Sequence, residues 1–294
     1  MVTAEAPAKI NLYLHVTGKR PDGYHLLDSL IVFADVGDTV EAMAGDELSL
    51  GCDGPFGAAL GTQPDNLVLK AAHALAEAAG IAPKARLRLT KRLPIASGIG
   101  GGSADAAATL QALAKLWQLA LPKRTMTEIA AKLGADVPIC LHGRTAYIGG
   151  IGEIIDPAPA LPEAGILLAN PGQALSTPSV FKSFKGPMTK AQRFDATVSR
   201  NGSQNTLTDA LALAAMLAER RNDLTDAAIA IVPEIATLLD AMEQLPNVRL
   251  ARMSGSGATC FALFDDKKSA LEAAGHLAAE HPGWWVRGAA LIGR

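Results

Sequence analysis

Four glycines within five positions, Gly98, Gly100, Gly101 and Gly102, stand in the run Leu-Pro-Ile-Ala-Ser-Gly-Ile-Gly-Gly-Gly-Ser-Ala-Asp-Ala-Ala at residues 93–107. A β-like run, Ala85 to Leu93, precedes them. An alanine-rich pattern follows, with Leu110, Leu113, Ala114 and Trp117 at i, i+3, i+4 and i+7. Glycines at such a junction let the backbone adopt φ > 0 and bring bare N–H groups close to a ligand. A helix start adds unpaired donors and a positive dipole end, and together these have the chemistry of a phosphate cradle. Ser103 reads as the helix N-cap and Asp105 as a first-turn carboxylate. A flexible loop before an ordinary helix is the competing reading, and the strand–glycine–helix order weighs against it.

Better-known phosphate loops do not fit. The chain has no Gly-Lys-Ser/Thr triplet, which a Walker A loop needs. Counting six positions from Gly98 reaches Ser103 where a dinucleotide fingerprint needs a third small glycine-like residue, and no early β-α unit precedes it. Protein-kinase signatures are absent as well.

Other residues with chemistry lie elsewhere. Residues 4–16 alternate, with Ala8, Ile10, Leu12, Leu14 and Val16 on one face and Lys9, Asn11, Tyr13 and His15 on the other. That pattern predicts a half-exposed strand with a solvated polar face. The turn Arg20-Pro-Asp-Gly23 is followed by Tyr24 and His25, which could stack on a base or only pack. In Gly134-Ala-Asp-Val-Pro138, Asp136 reads equally as an N-cap ahead of Pro138 and as a carboxylate held by its apolar neighbours.

Strands are expected at 27–34, 38–44, 47–52 and 145–148. Asp65 and Asn66 cap a helix with Leu67, Ala71, Leu75 and Ala78 inward, ended by Gly80. Thr125-x-x-Glu128 reads as a capping box for a helix closed by Gly134. Pro157, Pro159 and Pro162 mark a domain boundary. Beyond it come a strand at 165–170, an irregular connection at 171–205, and helices near 207–220, 223–231 and 233–245. Val248–Met253, Thr259–Phe264 and Trp284–Ile292 read as strands and Lys267–Glu280 as a helix, a β, helices, β, β, α, β order that predicts a ferredoxin-like sandwich. The Ser254-Gly-Ser-Gly-Ala258 loop alone reads as a hairpin connection. The polar interval 182–204 lacks periodicity and is expected to be mobile.

Composition narrows the function classes. A chain of 294 residues, 49% hydrophobic, fits one large domain or two smaller ones. A net charge of −2 and a pI near 6.3 argue against a nucleic-acid partner. Three dispersed cysteines, Cys52, Cys140 and Cys260, suggest reduced thiols in a cytoplasm. No metal-ligand spacing and no membrane-length apolar run is present, so no structural metal and no membrane partner are expected.

Three separated signals resemble the motifs of the GHMP kinases in order and character: Pro7-Ala-Lys9-Ile-Asn11-Leu, Pro94 with Gly-Gly-Gly-Ser-Ala-Asp-Ala-Ala, and Ser254-Gly-Ser-Gly-Ala258. Arg20-Pro-Asp-Gly-Tyr-His25, Lys91-Arg-Leu-Pro94, Leu133-Gly-Ala-Asp-Val-Pro138 and Asn222-Asp-Leu224 extend the resemblance over nearly the whole chain. It implies an α+β, two-domain fold: residues 1–157 similar to ribosomal protein S5 domain 2, and 158–294 forming the ferredoxin-like part. It also implies an ATP-dependent cytoplasmic kinase using Mg²⁺, acting as a monomer or weak homodimer on the 2-hydroxyl of a cytidine diphosphate-linked methylerythritol. In that comparison Lys9 and Asp136 are the catalytic pair. Pro94, Gly98, Gly100, Gly101, Gly102, Ser103 and Ala104 hold ATP phosphates, Ser103 also offers its hydroxyl to Mg²⁺, and Asn66 lies by the nucleotide. Asn11, Tyr24, His25, Thr177 and Phe181 meet the acceptor, with the cytosine between His25 and Phe181. Ser254, Gly255, Ser256, Gly257 and Ala258 form the third motif.

The chain departs from the family pattern at Ala96 and Ser97, where many members carry glycine, at Ala104-Asp105, where many have Ser-Ser or Ser-Asn, and at Thr225, where Glu is expected. A homoserine- or mevalonate-type kinase is the nearest rival, and Tyr24-His25 speaks for a base-bearing acceptor instead. A non-catalytic RNA-binding module with an S5-like fold is disfavoured by the acidic balance.

Overall fold

The structure, a computed structural model, describes residues 1–60, 66–193 and 207–292. Two long strands open the chain, β1 (Val2–Lys19) and β2 (His25–Met43). Arg20 N–H donates to the Tyr24 carbonyl across the turn between them, where Gly23 takes φ +93°. The strands expected at 27–34 and 38–44 are one strand: Gly37 does not break it but lets β1 approach, since a Cβ there would collide with the Ala6 carbonyl.

After these come β3 (Leu48–Asp53), α1 (Gly57–Leu60), α2 (Leu67–Ala79), β4 (Ala85–Thr90), α3 (Gly101–Leu116), α4 (Lys123–Leu133) and α5 (Val137–His142). Then follow β5 (Ala146–Gly150), β6 (Ile154–Pro157), β7 (Gly165–Asn170), α6 (Thr177–Ser183), α7 (Ala210–Ala218), α8 (Thr225–Ile229) and α9 (Glu234–Glu243). The chain closes with β8 (Leu250–Met253), β9 (Cys260–Phe264), α10 (Lys267–Glu280) and β10 (Trp285–Ile292).

Local chemistry accounts for most of these boundaries. Asn66 caps α2 by accepting from Val68 N–H, and Gly80 ends it at φ +66°. Asp65 lies outside the described residues. The buried stripe of α2 is Val68, Ala71, Ala72, Leu75 and Ala76, so Ala78 is exposed, contrary to the expected phase. Thr125 and Glu128 form no capping box, because α4 begins at Lys123 behind Pro122 and Glu128 pairs with Arg124 instead. Strand β6 was missed behind Gly149-Gly150-Ile151-Gly152, which is the β5–β6 hairpin turn, with Gly150 and Gly152 at positive φ. Helix α6 interrupts the connection expected to be irregular, and residues 194–204 of the polar interval lie outside the described residues.

Cα proximity groups the chain into two compact units. The first comprises Met1–Lys9, Val36–Ile95 and Gly100–Gly143. In it β3 pairs in parallel with β4, and β4 pairs antiparallel with the end of β2 from Thr39↔Thr90 to Met43↔Arg86. Helix α3 packs between α2 and α5. The second unit comprises Ile10–Asp35, Ala96–Ile99 and Arg144–Arg294. Its strands β10–β7–β9–β8 form an antiparallel sheet in the ferredoxin-like order, and the first part of β2 adds β5 and then β6. Leu167, Ile235, Leu238, Phe264, Leu277 and Val286 lie in its core. The fold is α+β as expected. Among the described residues, no helix is long and apolar enough to cross a membrane.

The expected solvated face of β1 is not solvated. Lys9, Asn11, Tyr13 and His15 are all at most 5% exposed. Buried polar groups persist where they find partners. Asn11 Nδ2 donates to Ser29 Oγ at 2.8 Å, Tyr13 donates its hydroxyl proton to Asp28 at 3.1 Å, and His15 Nε2 accepts from Arg221 N–H at 3.3 Å.

The first unit also buries three charges. Lys91 Nζ lies 2.5 Å from Asp38 Oδ2 and 2.6 Å from Asp105 Oδ2, and all three side chains are almost fully dry. The second oxygen of Asp38 accepts from the Arg92 and Leu93 N–H groups, whereas Asp105 Oδ1 has no partner among the described residues. Burial, with the Asp38 charge adding and Lys91 opposing, pushes the Asp105 carboxyl up to about 7. A carboxyl raised on folding holds its proton more tightly in the native state, so stability is full below its unfolded value and is lost as pH rises toward 7. Asp105→Asn cannot titrate. Melting temperature measured from pH 5 to pH 8 is expected to fall less in this variant than in the parent, and equal slopes would remove the assignment.

Candidate active site

Lys9 leaves β1 and places Nζ 3.1 Å from Asp136 Oδ2. The lysine side chain is 6% exposed and the aspartate 47%. Asp136 does occupy the N-cap position of α5, with Pro138 in the first turn, yet its side chain makes no capping bond. Its carboxylate is turned to Lys9 instead. The two readings left open by the sequence therefore separate, because the position is a cap while the side chain is engaged elsewhere. A half-exposed carboxylate beside a buried ammonium can meet a substrate hydroxyl while staying oriented.

The same unit holds the start of α3. Gly100 stands at the N-cap with φ +66°, and no side chain caps the helix. The N–H groups of Gly101, Gly102 and Ser103 precede the first helical bond, from Ala104 N–H to the Gly100 carbonyl at 2.8 Å. These donors and the dipole end suit an anion. A Cβ on Gly100 would lie 3.2 Å from Lys9 Cβ, so the lysine stem runs past this helix start. Ser103 is therefore not the N-cap but a first-turn residue, because a left-handed glycine begins the helix three residues earlier. Asp105 does not complement the dipole, since Lys91 holds it in the interior. Asn66 caps α2 with its own Oδ1, which accepts from Val68 N–H at 2.9 Å, and the next residue, Leu67, adjoins Gly102. Pro94 is buried.

The second unit holds the remaining residues. Gly98, at φ +74°, tolerates no Cβ because Gly257 lies against it, and Gly255, at φ +56°, approaches the Gly98 carbonyl in the same way. The Ser254–Ala258 loop is the β8–β9 hairpin connection, and it is also docked backbone-to-backbone on Ser97–Gly98. Thr259 N–H donates to the Ser97 carbonyl at 3.1 Å. Asn11 N–H donates to Ser254 Oγ at 3.1 Å, and the hydroxyls of Thr177 and Ser256 lie 2.8 Å apart. Ala96, where glycine is common in the family, takes φ +52° and carries a strain of about 1 kcal/mol.

His25 stacks on Phe181 with ring centroids 5.4 Å apart and meets Phe184 edge-on at 5.8 Å. Burial, with the Lys19 charge adding, lowers the His25 pKa, which favours the neutral imidazole. Aromatic rings pack with centroids about 4.5–7 Å apart, so at 5.4 Å His25 and Phe181 are already in contact and must part before a base enters between them. Tyr24 is exposed and joins none of these ring contacts.

Sequence reasoning assigned no role to Asn222, Lys91 or Phe184. Asn222 Nδ2 donates to the Met253 and Gly255 carbonyls at 2.8 and 2.7 Å and so buttresses the third-motif loop. Its place in Asn-Asp-Leu was the available signal. Phe184 follows Phe181 by one helical turn, a spacing that was also visible.

The sequence profile of the GHMP kinases N terminal domain matches residues 66–144, and that of the GHMP kinases C terminal domain matches 204–283. The chain is 50% identical over 288 residues to a 4-diphosphocytidyl-2-C-methyl-D-erythritol kinase of Paramagnetospirillum magneticum, spanning 98% of each protein. It is 53% identical to one from Cereibacter sphaeroides, over the full length of both. Among solved structures it is similar to 4-(cytidine 5'-diphospho)-2C-methyl-D-erythritol kinase, with TM-score 0.76 and 32% identity over 99% of this chain and all of that one. A homoserine kinase from Cytophaga hutchinsonii, 17% identical, shares the fold at TM-score 0.72 over 98% and 94% of the two chains. With a motif loop, a lysine–aspartate pair and full-length relatives agreeing, the chain belongs to the GHMP kinases, a family of ATP-dependent small-molecule kinases.

Proposed function

We propose that this kinase transfers the γ-phosphoryl group of ATP to the 2-hydroxyl of 4-diphosphocytidyl-2-C-methyl-D-erythritol. The observation that carries the reading is the Lys9–Asp136 pair at 3.1 Å beside a glycine-begun helix whose first N–H groups have no side-chain cap. Full-length relatives bearing that kinase name support the acceptor, and so does a neutral imidazole among phenylalanine rings. A homoserine- or mevalonate-type acceptor has no base to use those rings.

Phosphoryl transfer asks little covalent chemistry of a protein: the donor is positioned, its charge is neutralised, and the acceptor oxygen is aimed in line. Asp136 accepts the hydroxyl proton as the oxygen attacks the γ-phosphorus and the bond to the β–γ bridging oxygen breaks, releasing ADP. Lys9 keeps the carboxylate oriented and offers positive charge where the transferring group gathers negative charge. The N–H groups of Gly101, Gly102 and Ser103 cradle phosphate oxygens. Pro94, Gly98 and Ala104 shape that cradle, and Asn66 caps the adjoining helix. Asn11 and Thr177 serve the acceptor together with Tyr24, His25 and Phe181, and the loop Ser254, Gly255, Ser256, Gly257, Ala258 fixes Asn11 and Gly98. Residues 1–157 and 158–294 are the two domains on this reading, with the profile matches falling on either side of the division.

Mg²⁺ fits this donor set as a nucleotide-borne ion. Among the described residues no group of three His, Cys, Asp or Glu could hold a metal, and Asp105 is spoken for by Lys91. The Ser103 hydroxyl and phosphate oxygens would serve as hard ligands, which suits an ion that keeps several waters. When bound, Mg²⁺ neutralises triphosphate charge.

Asp136→Asn is expected to abolish turnover in an ADP-release assay while ATP binding persists. Retention of more than about a tenth of kcat, a loss under about 1.4 kcal/mol, rules out the base role. His25→Ala and Phe181→Ala are each expected to raise the KM for the cytidine-linked acceptor by about tenfold, since base–aromatic stacking carries about 1–3 kcal/mol. Equal rises in the KM values for acceptor and ATP would overturn the stacking role.

A further inference from the structure

After α6 the chain runs from Lys185 to Arg193 with no helix or strand, and most of its residues are exposed, Met188 at 49%. Apolar burial therefore does little to hold this strap. A cavity of 340 Å³, lined by Phe184, Gly186 and Pro187 on the strap side and by Asp223, Leu239 and Met253 opposite, lies along its first part. Polar pins hold it instead. Thr189 N–H donates to the Val16 carbonyl at 2.8 Å, and Arg221 Nη2 donates to Thr189 Oγ1 at 3.2 Å. Arg220 Nε donates to the Gln192 carbonyl at 2.7 Å.

A charged pin, with a buried carboxylate, lies at Arg193. Asp28, on β2 three residues past His25, is 2% exposed. One of its oxygens accepts from Gln192 N–H at 3.0 Å and from Tyr13, and the other accepts from Arg193 Nε at 3.0 Å. Arg193 continues through Nη1 to Asp156 Oδ2 at 2.7 Å, and its guanidinium lies 5.2 Å from the Tyr147 ring centroid. A buried carboxylate left without its cation is strongly unfavourable, so Asp28 and Arg193 hold each other.

Strand β2 and the strap are thus joined twice. His25 of β2 meets Phe181 and Phe184, which lead into the strap, and Asp28 of β2 meets Arg193 further along it. We propose that Asp28 and Arg193 are positioning residues for base recognition, clamping the strap so that Phe181 and Phe184 stay set against His25. The inference rests on the reading of His25 and Phe181 as the base site. It gives that site a control point with no contact to the base. Entry of a ring requires His25 and Phe181 to part, and the clamp limits how far the strap follows.

Arg193→Gln, Arg193→Lys and Asp28→Asn in the full chain test it, with cytidine 5'-diphosphate as a calorimetric probe and the KM values for acceptor and ATP measured in parallel. Arg193→Gln is expected to weaken cytidine 5'-diphosphate binding and raise the acceptor KM by about tenfold with the ATP KM within about twofold, as slight misplacement of a recognition group does. Arg193→Lys, which keeps the charge, is expected to restore part of the loss. Should Arg193→Gln fold poorly, Asp28→Asn, equal in shape and able to keep the Tyr13 and Gln192 bonds, carries the same expectation. Unchanged cytidine 5'-diphosphate binding in a folded variant, or parallel rises in both KM values, overturns the clamp. His25→Ala separates the two ideas: if it weakens the probe and Arg193→Gln does not, the clamp alone falls, and if it leaves the probe unaffected, the base site itself falls.

Discussion

One ammonium, that of Lys91, bridges two dry carboxyl groups and in doing so ties the end of β2, the entry to the glycine loop and the body of α3 together. Removing a member of such a buried set strands uncompensated charge, at a cost of about 3–5 kcal/mol. The helix start that presents Gly101, Gly102 and Ser103 inherits its position from that tie. The tie leaves Asp105 Oδ1 without a partner among the described residues, so a polar atom goes unsatisfied where α3 is anchored. The Lys9–Asp136 pair uses the same two functional groups to a different end. There the ammonium is buried and the carboxylate half open, and that single difference in solvent access separates an anchor from a group that can take a proton.

Much of the fold was legible because hydrophobic period and turn chemistry agree along the chain. The ferredoxin-like order β7, β8, β9, α10, β10 could be read from apolar runs bounded by Asp-Lys and Pro-Gly, and Asp266 caps α10 where the pattern begins. The failures have specific causes. Two strands were expected where β2 runs on through Gly37, which serves a close strand approach, and β6 follows a hairpin turn at Gly150. Alternation in β1 was detected correctly and its meaning mistaken. A polar face reads as wet unless its partners are known, and those of Asn11, Tyr13 and His15 stand 18, 15 and 206 residues away.

Of the candidate site, the residues named from the sequence include two pairs that the structure brings together, Lys9 with Asp136 and His25 with Phe181. Gly98 and Gly100 do take positive φ, and the close approach of Gly257 is a second reason for glycine at 98 that spacing alone did not show. Ser103 was placed at a boundary that a left-handed glycine had already taken. Asn222 and Phe184 act through carbonyls and rings that only tertiary structure brings near, so their visible motif and spacing did not disclose what they touch.

The way β1 is completed has a consequence for how the chain is made. Leu14 exchanges backbone bonds with Arg221 and Asp223, Val16 N–H is held by the Asp223 carboxylate, and the Leu12 carbonyl is met by Arg252. Strand β1 therefore waits for residues 207 and 240 positions further along the chain, and such distant closure slows folding. Asn11 and Tyr13 meet Ser29 and Asp28 early, whereas His15 and the backbone of Leu12, Leu14 and Val16 have no such partners until then, so a nascent chain stopped short of the third motif holds β1 unfinished.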